Sequence, residues 1–231
     1  MRLFSDFGPI DTESQLKYAP RANPPQEEMS PRNIFVAAVA VIAIVTGTWL
    51  SFKAASPPPV PNVATILPAG NVLPDFSLLD HDGAEIGRDV FTGNWDLVFF
   101  GFTHCPDVCP LTLQVLAEAR KQLADSGLEP LPRIVLVSVD PERDTPDKLG
   151  QYIGYFGNDN LGITGEFDEI SKLTNGLGIW FEKSGDGEDY SVDHAAAVLV
   201  INPDGRFRAL FSAPHKVENF VHDVPIIVNQ K

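Results

Sequence analysis

The sequence is short of cysteine, of positive charge and of internal repetition. Only two of its 231 residues are cysteines, so it can form one internal disulfide or one two-thiol metal site at most. Lys and Arg number 17 against 31 Asp and Glu. Residues 1–53 hold five of each sign, so residues 54–231 carry the whole net charge of −14. A domain this acidic repels phosphate backbones and anionic headgroups, which makes nucleic acid and anionic lipid surfaces poor partners for it. The same charge serves either plain solubility or attraction of cations or a basic protein surface. No repeat is present, and the length suits one good-sized domain with appendages rather than two.

Residues 1–32 are polar and broken by Pro9, Pro20, Pro24, Pro25 and Pro31, the composition of a flexible tail. They are neither Arg-rich nor poor in acids, unlike a mitochondrial transit peptide. Asn33 to Phe52 then runs for 20 residues without a charge, between Arg32 and Lys53. At ~1.5 Å per residue such a helix spans a hydrocarbon core of ~30 Å, and it exceeds the ~7–15 residues of a signal-peptide core. Residues 33–53 are therefore expected to be a transmembrane anchor, with Trp49 at an interface. Lys17, Arg21 and Arg32 lie before it, and no basic residue follows Lys53 until Arg88. This places the tail in the cytoplasm and the acidic domain across the membrane. In a bacterium that is a single-pass inner-membrane protein with a periplasmic domain. The alternative is the mitochondrial inner membrane, facing the intermembrane space. Residues 54–69, with Pro57, Pro58, Pro59 and Pro61, read as a semi-rigid spacer.

Residues 70–231 have an α/β pattern. Short strands around Phe76–Leu79 and Ala84–Ile86 flank the turn Asp80-His81-Asp82-Gly83. Asp96–Phe102 and Ile134–Val139 are apolar runs of the length of strands buried on both faces. A helix is expected from Pro110 to Ala124, with Leu111, Val115, Leu116, Ala119 and Leu123 at helical spacing and Pro110 in its first turn. Further helices are expected from a Thr145 cap to Phe156 and from Glu166 to Leu173. Ala195–Ile201 and Phe207–Phe211 read as a hairpin about Asn202-Pro203-Asp204-Gly205, before a C-terminal helix Val217–Val228 interrupted near Pro225. This order is that of a thioredoxin-like domain with an N-terminal extension.

Both cysteines fall at the first strand-to-helix junction, Gly101 to Pro110. Cys105 and Cys109 stand one helical turn apart, close enough to bond each other or to hold one soft ion. At a helix start Cys109 is expected to gain a stabilised thiolate. His194, before a buried strand, is the candidate third ligand, with Asp193 to orient it and Asp107 as a further acid near the site. Two thiolates and an imidazole suit copper, as Cu(I) or Cu(II). His104 is expected to point away, since neighbours in an extended segment alternate faces. The residues alone leave open a metal site, a structural disulfide and a thiol–disulfide exchanger. A peroxidase has support from the fold only, because the lone-cysteine context is missing.

Three blocks, FTHCPDVCP (Phe102–Pro110), SVDPERDTP (Ser138–Pro146) and DHAAAVLVINPDGRF (Asp193–Phe207), in that order, resemble the Sco/SenC family of membrane-anchored copper chaperones across residues 70–230. The resemblance implies metal ligation by Cys105, Cys109 and His194. It also implies copper delivery to the CuA site in the copper-site subunit of cytochrome c oxidase, or reduction of that site's cysteines. Other periplasmic copper chaperones or thiol–disulfide reductants are implied as further partners. A metallochaperone is expected rather than an enzyme, with thiol–disulfide reductase activity as the alternative. Ordinary thioredoxins use CxxC opposite a cis-proline. Here the spacing is one residue longer and Tyr190–Ile201 contains no proline, with His194 in that region. The block Asp140-Pro141-Glu142-Arg143-Asp144 is read as an Asp/Arg-stabilised turn near the metal mouth. The acidic tract Asp186–Asp193 is read as a mobile loop that lets His194 swing.

Overall fold

The computed structural model describes residues 30–54, 59–185, 187 and 190–229. The expected tail therefore lies almost wholly outside the described residues, as do residues 55–58 of the expected spacer and parts of the acidic tract. Helix α1, Pro31–Ala54, is exposed along its described length and has a mean hydropathy of 2.3 over its apolar window, long and apolar enough to cross a membrane. It belongs to a compact unit separate from the one that begins at residue 58.

The second unit opens with strand β1, Thr65–Val72, which starts inside the stretch expected as spacer. Its half-exposed sequence and Pro68 suit the sheet edge it occupies. β2, Leu78–Asp80, and β3, Glu85–Ile86, form the expected hairpin. β4, Asp96–Gly101, and β5, Arg133–Ser138, are parallel neighbours at the centre, and every residue of β4 is buried. Between them runs α2, Val108–Asp125, which buries Cys109, Leu113, Leu116, Ala119 and Leu123 against the sheet. Leu111, expected on that face, is exposed. α3, Pro146–Gly154, follows the Thr145 N-cap, although the Thr145 side chain makes no capping bond.

The chain then adds β6, Leu161–Thr164, parallel to β5, and α4, Phe167–Leu177, longer than the sequence suggested. β7, Phe181–Ser184, and β8, Ser191–His194, form a separate two-stranded ribbon. Thus the end of the acidic tract is a paired strand and not a loose loop, with His194 opposite Phe181. β9, Val198–Ile201, and β10, Arg206–Phe211, make the second expected hairpin, and β9 runs antiparallel to β4. The main sheet has the order β1-β10-β9-β4-β5-β6-β2-β3. α5, Val217–Asn229, continues through Pro225. Packing of Phe220, Val224 and Ile227 into the core offsets the single backbone donor that proline lacks. The β4-α2-β5-α3-β6 half and the β9-β10-α5 half reproduce the thioredoxin-like order and bring the ends of β4 and β8 together.

Candidate metal centre

The centre begins where β4 stops. Gly101 ends the strand, the chain turns at Phe102–Asp107, and α2 starts with Cys109 in its first turn. Cys109 is fully buried and Cys105 is half-buried at the turn, and both thiols are free. The N–H of Cys109 donates to Cys105 Sγ at 3.4 Å. The helix terminus therefore serves the sulfur of Cys105, contrary to the expectation for Cys109. Burial, reinforced by Cys105, pushes the Cys109 thiol up instead. Desolvation of a charge outweighs the few tenths of a charge at a helix end.

His194 arrives from the other side as the last residue of β8. Its Nε2 lies 3.5 Å from Cys109 Sγ, and its Nδ1 lies 3.2 Å from the carbonyl oxygen of Ala195. A carbonyl only accepts, so Nδ1 carries the proton and the Nε2 lone pair faces the sulfur. The ring stands edge-to-face with Phe99 at 5.8 Å and Phe102 at 6.0 Å between centroids. Burial lowers the His194 pKa against the opposing Ala195 carbonyl and Asp193 charge, which keeps the imidazole neutral and ligand-ready. Asp193 does not orient the ring: it is exposed and acts only through its charge, while the Ala195 carbonyl fixes the tautomer. Asp107 is an exposed N-cap without a side-chain bond.

Cys105 and His194 share a cleft of about 240 Å³ with Phe102, Pro106, Val108 and Ala196. The ligand atoms of Cys105, Cys109 and His194 do not gather within 4.8 Å of one another. Among the described residues, the three that do are His104, Asp140 and Asp144. Those three are already engaged. Asp144 accepts the N–H and Oγ1–H of Thr103 and the hydroxyl of Ser138. Asp140 accepts Arg143 Nε at 2.6 Å and the Tyr190 hydroxyl, and the Lys148 ammonium sits 3.2 Å from His104. An ammonium against the ring repels a cation, so the cluster is a structural brace. His104 is engaged with Asp144 and Lys148, but the segment is a turn, and Thr103 and His104 both face Asp144, so the alternation of an extended strand is not what places it.

The other histidines are occupied: His81 accepts the Gly162 N–H, His215 donates to the Ala196 carbonyl, and His222 meets Asp223. The expected Asp/Arg turn is present beside the centre. Its Asp144 anchors Thr103, two residues before Cys105, and Arg143 donates to the Tyr190 carbonyl at 3.1 Å. Thr103, Phe99 and Tyr190 had no signal in the sequence beyond proximity to the motif blocks. The available donors are two thiols and a neutral imidazole at a half-buried cleft. That soft set fits a thiophilic ion.

Residues 65–229 match the SCO1/SenC family. The mitochondrial SCO2 homolog of Bos taurus is 33% identical over 228 residues, covering 96% of this chain and 82% of that protein. Arabidopsis thaliana ScoI with copper bound superposes with a TM-score of 0.65 at 31% identity, covering 69% of this chain and 99% of that one. Bradyrhizobium japonicum ScoI with copper bound gives a TM-score of 0.59 at 31% identity, covering 66% of this chain and 97% of that one.

Proposed function

The chain belongs to the SCO1/SenC family, and on that premise we propose that it is a membrane-anchored copper metallochaperone. It takes Cu(I) or Cu(II) on Cys105, Cys109 and His194 and delivers it to the CuA site in the copper-site subunit of cytochrome c oxidase. The observation that carries this reading is the 3.5 Å approach of the His194 Nε2 lone pair to Cys109 Sγ, with Cys105 on the same cleft. Thiolates select Cu(I), and the imidazole extends the set to Cu(II). Copper displaces the thiol protons as it binds, and Cys105, at the half-open face, is the first ligand a partner thiolate can replace. In this reading residues 1–32 are the cytoplasmic tail, 33–53 the inner-membrane anchor, the residues from 54 up to β1 the spacer, and the periplasmic metal domain takes in β1 from Thr65 onward. Tethering confines that domain near a membrane-bound acceptor, raising its effective concentration.

A second reading is thiol–disulfide reduction of the acceptor's cysteines, favoured by the helix N–H donated to the half-exposed Cys105 sulfur. Cys105 thiolate would attack the partner disulfide, and Cys109 would then displace the partner thiolate to leave a Cys105–Cys109 disulfide. The raised pKa of the buried Cys109 thiol slows that second step, which ranks this reading below copper transfer.

The test is the full chain in detergent micelles, reduced without oxygen, loaded with Cu(I), dialysed and assayed for metal. One copper per chain, lost in Cys105→Ser and Cys109→Ser and weakened in His194→Ala, is the expected result. An unmetallated wild type that reduces a model disulfide would instead select the second reading.

A further inference from the structure

The β7–β8 ribbon that carries His194 has little of its own to hold it. Both strands have four residues, and only Val192 among them is buried. A two-stranded ribbon with so small an apolar face is marginal by itself. It is fastened instead at Tyr190, which leads into β8 and is 7% exposed. The Tyr190 hydroxyl donates to Asp140, and its carbonyl accepts Arg143 Nη1 at 3.1 Å. Arg143 Cζ and Lys183 Nζ each lie 3.7 Å from the Tyr190 ring centroid, too close for both to share one face, so the ring is clasped between two cations. Lys183 is tied in turn to the Glu142 carboxylate at 2.8 Å. Arg143 also reaches over Phe102, 5.9 Å from its centroid, and Phe102 meets the His194 ring edge-on. Tyr190 therefore reaches His194 by two routes, four residues of strand and the Arg143–Phe102 stack. The same segment, residues 140–144, holds the cysteine turn through Asp144 and Thr103.

We propose that Tyr190 is a positioning residue for the metal centre. By fastening β8 to the segment between β5 and α3, it sets where the His194 imidazole stands relative to Cys105 and Cys109, and so how firmly His194 holds the ion. Tyr190 touches none of the three ligands in the described contacts and acts through His194. The inference rests on the copper reading above.

The experiment compares wild type, Tyr190→Phe, Tyr190→Leu, His194→Ala and the double variant Tyr190→Leu/His194→Ala as full chains in detergent micelles. Cu(I) affinity is read by competition with a chelator, Cu(II) coordination by electron paramagnetic resonance, and the metal-free ribbon by amide hydrogen exchange. Tyr190→Phe keeps the ring and both cation contacts and removes only the bond to Asp140. All Tyr190 variants should bind one copper. Affinity should fall on the order of tenfold in Tyr190→Leu, the size of effect seen when the groups behind a metal ligand are removed. Tyr190→Phe should fall between this and wild type. The Cu(II) spectrum should shift toward that of His194→Ala, and exchange at Val192 and His194 should quicken without metal. The double variant should bind no more weakly than His194→Ala alone, because the removed support no longer has a ligand to place.

Tyr190 variants that bind like wild type while His194→Ala is weakened would overturn the inference and leave the ligand reading standing. Additive losses in the double variant would overturn it too, by showing an effect on general stability. A His194→Ala chain that binds like wild type would remove the ligand reading and the inference with it.

Discussion

Gly101 shows how closely single residues shape the centre. A Cβ there would come within 2.8 Å of Phe99 Cε1 and 3.0 Å of Cys109 Sγ, so the last position of β4 is kept empty for a sulfur. Gly101→Ala should push Cys109 off its place. We expect a loss of about 1–3 kcal/mol in urea unfolding, the usual range for an overpacked core, together with reduced copper retention. Gly154→Ala, where an added Cβ meets nothing within 4 Å, should change neither retention nor stability adversely. Cys105, Cys109 and His194 could be singled out in the sequence because cysteine and histidine are scarce here and each sits beside a strand signal. Tyr190 could not. Its role depends on Asp140 and Arg143, some fifty residues earlier, folding against it, and no local spacing reveals that.

At the scale of elements, Asp223 of α5 is fully buried and joins the two ends of the domain. Its carboxylate accepts the N–H groups of Asn62, Val63 and Ala64 at 2.7, 2.9 and 2.9 Å, which pins the segment leading into β1 against the last helix. Burial raises its pKa, but these three donors together with His222 outweigh it and leave the pKa below the ordinary aspartate value. A depressed carboxylate pKa contributes stability that is present above the unfolded-state pKa and lost as pH falls through the folded-state one. Asp223→Ala leaves three donors without their charged acceptor and should cost about 3 kcal/mol at neutral pH. In urea unfolding at a series of pH values, the gap between wild type and variant should narrow as the acid range is entered. A gap independent of pH would assign the loss to packing alone. β4 and β5 were legible in advance because their apolar runs are continuous, both faces being covered, and the hairpins β2–β3 and β9–β10 were legible from the turn residues between their strands. β6 was missed because four residues containing a glycine carry too little pattern. β7 and β8 were missed because a mostly exposed ribbon has no apolar alternation to read. The break expected at Pro225 did not occur, since core contacts on either side hold α5 together.

For the whole molecule, charge and the candidate span bear on each other. A domain at −14 gains nothing from an anionic membrane surface, so in the proposed layout attachment would fall to α1. That helix has no charge from Asn33 to Phe52, and its apolar side chains are exposed, as lipid contact requires. Placing Arg at both Ile42 and Ile44 puts two charges near the middle of the span, each costing about 3 kcal/mol by insertion scales. The double variant, produced in a bacterial host, should leave the carbonate-resistant membrane fraction that retains the wild type. Orientation is a separate question with its own readout. Because Lys17, Arg21 and Arg32 precede the span while the stretch from Lys53 to Arg88 has no basic residue between them, the domain should lie outside the cytoplasm. Protease added to intact spheroplasts should then digest the domain and spare the tail. Protection of the domain until the cells are lysed would reverse the topology and put the cysteines in a reducing compartment, away from the oxidase copper site they are proposed to serve.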